Sequence, residues 1–110
     1  MSYSIISIPK FEKELKRLAK KYPSLKEEYI QLVQSLKEHP DQGTTLGNNC
    51  YKIRMAISSK GKGKSGGARV ITYVKVTAAA VYLLAIFDKS DQENIPDHEL
   101  QELLKWIPEH

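Results

Sequence analysis

Apolar and polar residues alternate most regularly in the middle of the chain, where the pattern predicts two paired β-strands. In residues 51–57 every second side chain is apolar and would point to one face of a strand: Tyr51, Ile53, Met55 and Ile57. Lys52 and Arg54 would point to the opposite face. Residues 68–74 alternate in the same way and carry Arg69 near their start. If the two strands pair as a hairpin, Lys52, Arg54 and Arg69 can lie on one face of the sheet.

Other apolar residues recur every three or four positions, which predicts helices. The first helix begins near Lys10 and is broken by Pro23, and the second begins after Ser24, a good N-cap, and ends near His39. Their tight connection indicates an antiparallel helical hairpin. A third helix opens at Pro96. The three apolar stripes are Phe11, Leu15, Leu18 and Tyr22; Leu25, Tyr29, Leu32, Val33 and Leu36; and Leu100, Leu103, Leu104 and Ile107.

Two further strands complete the predicted sheet. Residues 3–8 form a short strand that Pro9 ends, and residues 81–87 are so uniformly apolar that they predict a strand buried on both faces. Residues 41–49 are rich in Gly, Asn and Thr and predict a loop. The order strand, helix, helix, strand, strand, strand, helix predicts an α+β fold. We expect a mainly antiparallel sheet with the helical hairpin on one face, and the basic side chains displayed on a partly free second face.

Length and composition narrow the class of protein. A chain of 110 residues has the natural size of one domain, covering residues 1–110. The single cysteine, Cys50, permits no intramolecular disulfide, and the spacing of the histidines predicts no metal site. The start lacks the features of a signal peptide, and the longest apolar stretch, residues 78–87, is too short to cross a bilayer. We therefore expect a cytoplasmic protein without a cofactor or a membrane partner.

The distribution of charge indicates an anionic partner more clearly than the net charge of +4 does. Residues 42–87 contain no acid and seven basic residues: Lys52, Arg54, Lys60, Lys62, Lys64, Arg69 and Lys75. Such a surface suits a polyanion such as nucleic acid, although a solvated basic surface is the plain alternative.

The basic strand residues are the best candidates for chemistry. Arginine offers a planar fork that matches phosphate oxygens, and positive neighbours make the protonated form of a lysine less favourable. Lys52 among other cations could therefore act as a general base or acid while the arginines hold a phosphodiester. The alternative is that Lys52 and Arg54 form the solvated face of an amphipathic strand.

The connection between the two basic strands contains three lysines and four glycines in residues 58–67. It does not match the phosphate-binding loop of nucleoside triphosphatases, and no helix follows it. We interpret Lys60, Lys62 and Lys64 as contacts to a phosphate backbone, with a mobile hairpin tip as the alternative. The acids that follow the last strand, Asp88, Asp91 and Glu93, are expected to form a solvated loop rather than a metal site.

Three segments together resemble the RelE/ParE superfamily of type II toxins. They are residues 51–54 (Tyr-Lys-Ile-Arg), residues 61–73 (Gly-Lys-Gly-Lys-Ser-Gly-Gly-Ala-Arg-Val-Ile-Thr-Tyr) and residues 81–89 (Val-Tyr-Leu-Leu-Ala-Ile-Phe-Asp-Lys). The lysine–glycine loop before Gly-Gly-x-Arg is most similar to the HigB-type branch of RelE-like toxins. The helical hairpin and the order of elements also match, so the resemblance covers nearly the whole chain.

The resemblance implies an mRNA endoribonuclease that cuts at the ribosome without a metal, by attack of a ribose 2′-hydroxyl on the adjacent phosphate. It implies that Lys52 and Arg54 are the basic catalytic residues of their strand, with Lys52 helping to deprotonate the hydroxyl. Arg69 would stabilise the charged phosphate, and Lys89 is a further basic residue after the last strand. Lys60, Lys62 and Lys64 would hold mRNA or ribosomal RNA.

The resemblance also implies a cognate antitoxin, with DNA bound only through the toxin–antitoxin complex. Two alternatives stay open. The superfamily includes ParE-like inhibitors of DNA gyrase, and the segment from Lys89 to His98 lacks the tyrosine that some relatives use on the substrate. A RelE-like binding module without catalysis is therefore the second alternative.

Overall fold

The computed structural model describes residues 2–61, 63 and 66–108. The described residues form strands β1 (Ser4–Ser7), β2 (Thr44–Gly47), β3 (Cys50–Met55), β4 (Ala68–Lys75) and β5 (Ala80–Asp88), and helices α1 (Pro9–Lys21), α2 (Leu25–Glu38) and α3 (Asp97–Leu104). Short 3-10 turns cover Ser58–Lys60 and Val76–Ala78. The predicted α+β class, the helical hairpin segments and the C-terminal helix are confirmed.

The strands form one sheet in the order β1-β5-β4-β3-β2. The pairs β2–β3, β3–β4 and β4–β5 are antiparallel, whereas β1 pairs parallel with β5. Every residue of β5 is buried, as its apolar sequence predicts.

The edge strand β2 lies in the segment that we interpreted as a loop, so that prediction is wrong for residues 44–47. All four residues are exposed, and no apolar alternation marks them as a strand. The strand arises from a two-residue turn, because Asn48 and Asn49 both have a positive φ, of 53° and 63°. This geometry matches the twist of a tight hairpin, and Asn tolerates it better than most residues.

The helical hairpin covers the face of the sheet that carries Met55 and Ile53. At the end of α1, the Tyr22 hydroxyl donates to Asp88 Oδ2 at 2.5 Å. Asp88 pairs with Ala68, which pairs in turn with Met55, so these side chains share one face. The wholly or almost wholly buried side chains of the two helices are Phe11, Leu18, Leu25 and Leu36.

Much of the opposite face is covered as well, and it is free of covering residues at Arg54, which is exposed. It carries Ile71 and Phe87, and both are buried. Glu93 and Asn94, in the connection that leads to α3, reach basic side chains on this face. The apolar stripe of α3, with Leu100, Leu103 and Leu104, is buried in the same core. The C-terminal segment therefore covers part of the face on which we expected the basic residues to be displayed: Arg69 is buried, Lys52 is half-buried and Arg54 is exposed.

Gly67 sets the spacing between β3 and β4 at the end that carries the arginines. A Cβ atom on Gly67 would overlap the Met55 carbonyl oxygen and lie 3.0 Å from the Ala56 Cα. Both neighbours are backbone atoms, so the strands would have to move apart. We expect Gly67→Ala to lower the free energy of unfolding by about 1–3 kcal/mol, as measured by urea denaturation.

Gly63→Ala is the matched control, because a Cβ atom there would meet nothing within 4 Å. Equal stability of the two variants would contradict the role given to Gly67.

Candidate functional site

The strand register brings the three basic strand residues together on one face, as the alternation predicts. Arg54 lies directly opposite Arg69, and Lys52 lies opposite Ile71. Directly opposed Cβ atoms in antiparallel strands are about 4.5–5.5 Å apart, and diagonal neighbours are about 7–8 Å apart. Lys52, Arg54 and Arg69 therefore form a compact group, which we call the basic cluster.

Arg69 lies deeper in the protein than we expected from the sequence. Its exposed fraction is 1%, so the expectation that its side chain is displayed on the surface is wrong. Its Nη1 donates to the Ala68 carbonyl oxygen at 3.1 Å, and its Nε donates to Glu93 Oε2 at 2.8 Å. A longer bond of 3.4 Å joins Nη2 to Glu93 Oε1. The guanidinium is thus held in a fixed orientation against a carboxylate.

The other two members of the basic cluster are closer to solvent. Lys52 is half-buried, and its ammonium donates to Asn94 Oδ1 and, at 3.5 Å, to the Glu93 carbonyl oxygen. Arg54 is exposed. A ligand that approaches from solvent would therefore meet Arg54 first, and would reach Lys52 and Arg69 beside residues 93 and 94.

Lys89 adds a fourth positive charge near the basic cluster. It is exposed, it directly follows β5, and its backbone N–H donates to the Gly67 carbonyl oxygen at 3.0 Å.

Hydrogen bonds from Arg69 lower the pKa of Glu93 despite partial burial, and the charges of Arg69, Lys52 and Lys89 act in the same direction. Glu93 is therefore an ionised carboxylate surrounded by cations at neutral pH.

The loop lysines fall into two groups. Lys62 and Lys64 lie outside the described residues, so their RNA-binding role stays a prediction. The side chain of Lys60 is 11% exposed, and its Nζ lies 2.6 Å from Asp88 Oδ1 and 5.5 Å from the centre of the Tyr22 ring. Contact between Lys60 and RNA would require this ion pair to open.

Sequence reasoning missed the acids that organise this region. We expected Asp88, Asp91 and Glu93 to form a solvated loop, but Asp88 is wholly buried and Glu93 binds Arg69. The sequence signal that could have indicated this role is their position: they are the first acids after the acid-free basic segment, residues 42–87. Buried or opposed cations need a counter-charge, and these residues are the nearest in sequence that could supply it.

Three observations concern other kinds of site and membrane insertion. Among the described residues, no group of three or more His, Cys, Asp or Glu side chains is arranged to hold a metal ion. Cys50 is buried, and burial raises the pKa of its thiol to about 11, so it is a poor nucleophile at neutral pH. Within the same part of the chain, no helix is long and apolar enough to cross a membrane.

Known proteins are similar to this chain in sequence or in fold. A family model described as "RelE toxin of RelE / RelB toxin-antitoxin system" matches residues 9–108. A mutant of the E. coli toxin RelE in the free state is 19% identical, with a TM-score of 0.66 over 98% of this chain and 100% of that chain. The intact E. coli RelBE toxin–antitoxin complex also contains a similar chain, 19% identical, with a TM-score of 0.50 over 79% of this chain and 96% of that one.

Proposed function

Because the chain belongs to the RelE family of toxins of toxin–antitoxin systems, we propose that it is an endoribonuclease that cuts mRNA on the ribosome. The observation that carries this proposal is the basic cluster, in which Arg54 and Arg69 oppose each other and Lys52 lies on the same face. Opposed like charges destabilise a sheet, and the Glu93 carboxylate supplies a compensating anion at Arg69. A phosphodiester is an anion of suitable size and shape for two guanidinium groups and an ammonium.

The proposed reaction is attack of a ribose 2′-hydroxyl on the adjacent phosphorus. The new O2′–P bond forms, the P–O5′ bond breaks, and the products are a 2′,3′-cyclic phosphate and a 5′-hydroxyl. Lys52 accepts the 2′-hydroxyl proton in its neutral amine form, and the 5′-oxygen gains a proton from a cationic group or from water. Arg69 binds the phosphate oxygens as charge accumulates on them, and the hydrogen bond from its Nη1 to the Ala68 carbonyl oxygen helps to orient it. Arg54 and Lys89 add positive charge.

The partners follow from the family and from one solved relative. The similar chain in E. coli RelBE is part of a toxin–antitoxin complex. By analogy, a cognate antitoxin binds this chain in the cytoplasm, and the chain meets DNA only within that complex. Lys62 and Lys64 contact the RNA backbone in this proposal.

Induction of the chain in a bacterial host, followed by mapping of the 5′ ends of cellular mRNA, tests the function. We expect new ends inside translated regions, in step with codons, and none when the cognate antitoxin is co-expressed. Growth arrest with intact mRNA and blocked replication would instead indicate a ParE-like gyrase inhibitor. Absence of growth arrest would indicate a binding module without catalysis.

A further inference from the structure

The carboxylate of Glu93 binds Arg69 in the way that a phosphate would. Its two oxygens face Nε and Nη2 on one edge of the guanidinium, at 2.8 Å and 3.4 Å. Carboxylates and phosphates share this fork geometry with arginine, and both form charge-assisted hydrogen bonds. An RNA phosphate and the Glu93 carboxylate therefore compete for the same donors.

The neighbouring residue makes a second contact of the same kind. Asn94 Oδ1 and the Glu93 carbonyl oxygen accept hydrogen bonds from the Lys52 ammonium. Residues 93 and 94 thus engage two of the three members of the basic cluster through adjacent positions of one segment. We call this pair the 93–94 cap.

The 93–94 cap lies at the surface and is held mainly by polar contacts. The Glu93 side chain is 40% exposed, and Asn94 is exposed. The anchors of this segment lie on either side of the cap: the buried carboxylate of Asp88 ends β5, and the apolar side chain of Ile95 packs against the core before α3 begins. The cap can leave the basic cluster without removing a large apolar side chain from the core, so its displacement requires little loss of buried apolar area.

From this geometry we propose that Glu93 occupies the phosphate subsite of the free protein, so that RNA must displace the 93–94 cap before its phosphate reaches Arg69. This inference rests on the proposed function for the identity of the natural ligand. It also implies that the free protein selects longer RNA over small phosphate compounds. A single phosphate gains only the contacts that Glu93 already makes, whereas an RNA segment gains further contacts at Arg54 and Lys89. The free protein therefore discriminates against mononucleotides and inorganic phosphate in favour of longer RNA.

Titration with inorganic phosphate, followed by the NMR signal of the Arg69 Nε–H group, tests the competition directly. Glu93→Gln keeps the size of the side chain and an acceptor oxygen but removes the charge. We expect this variant to bind phosphate at Arg69 about tenfold more tightly than the wild-type chain, since a neutral acceptor competes less well than a carboxylate. Asp91→Asn is the matched control, because it removes one negative charge from an exposed residue of the same connection. We expect its affinity to stay within about twofold of wild type.

Equal phosphate affinities for Glu93→Gln and Asp91→Asn would overturn the inference, because they would show a general charge effect instead of a shared subsite. Unchanged phosphate binding together with a large loss of RNA cleavage in Glu93→Gln would also overturn it, and would make Glu93 a catalytic group. The titration does not depend on catalysis. If neither wild type nor variant cleaves RNA while Glu93→Gln binds phosphate more tightly, the proposed function fails and the competition at Arg69 stands.

Discussion

Replacement of Arg69 by alanine is expected to reduce mRNA cleavage by at least about 10²–10³-fold and to abolish growth arrest. The guanidinium is buried, fixed by hydrogen bonds and placed opposite Arg54, so it is the member of the basic cluster best oriented toward a phosphate. Removal of a preorganised donor lowers the rate because the charge on the pentacoordinate phosphate loses its nearest stabilising group. Cleavage of mRNA in a purified translation system measures the effect.

Loss of a buried side chain could also lower stability, so the experiment needs two controls. Thermal unfolding and binding of the cognate antitoxin show whether Arg69→Ala keeps the fold. Arg17→Ala is the matched variant: it removes an arginine that is 58% exposed on α1 and pairs with Glu14. We expect Arg17→Ala to retain most of its activity. If folded Arg69→Ala still arrests growth and cuts mRNA, the active site lies elsewhere.

The placement of the basic cluster could be predicted because it depends on local rules. Side chains alternate along a strand, and an antiparallel hairpin places opposed residues on one face. The sequence around residues 51–57 and 68–74 therefore fixes which side chains share a face with Lys52, once the two strands pair. Strand β5 could also be predicted from a local pattern, because a short uninterrupted run of apolar residues is typical of a strand that is buried on both faces.

The covering of the basic cluster could not be predicted in the same way. It depends on where α3 packs and on the path of the connection that leads to it, and neither follows from the local pattern around Glu93. An isolated acid in a polar segment has the composition of a solvated loop. The role of Glu93 becomes visible only when Arg69, 24 residues earlier in the chain, is known to lie beside it. Strand β2 could not be predicted for a related reason. Its strand geometry comes from the turn at Asn48 and Asn49 and not from an apolar pattern in its own residues.

Asp88→Ala is expected to lower the free energy of unfolding by about 3–5 kcal/mol, which corresponds to a fall in Tm of roughly 12–20 °C. The Asp88 carboxylate is wholly buried and accepts hydrogen bonds from Tyr22 at the end of α1, from Lys60 in the loop and from Ser90 after β5. It therefore ties three segments together. Without it, the Lys60 ammonium stays largely buried and loses its counter-charge, which accounts for most of the expected loss.

The same carboxylate gives the stability a defined dependence on pH. Burial of Asp88 opposes ionisation, but hydrogen bonds from Lys60, Tyr22 and Ser90 outweigh this effect and hold its pKa well below the usual range. An aspartate in the unfolded chain has a pKa of about 3.9. The ionised form is thus stabilised by folding, and its contribution is complete above about pH 4 and is lost as the pH falls further. Chemical denaturation between pH 7 and pH 2 should show Asp88→Asn approaching wild type as the pH falls.

Two comparisons separate the buried ion pair from a general effect of charge. Glu102→Ala breaks a surface pair with Lys105, whose side chains are 68% and 71% exposed, and should cost at most about 1 kcal/mol. The double variant Lys60→Met, Asp88→Ala removes both buried charges and should lose less stability than the sum of the single variants. Strict additivity would show that Lys60 and Asp88 act independently. If Asp88→Ala lowers the free energy of unfolding no more than Glu102→Ala does, then Asp88 does not anchor Lys60 to the end of β5.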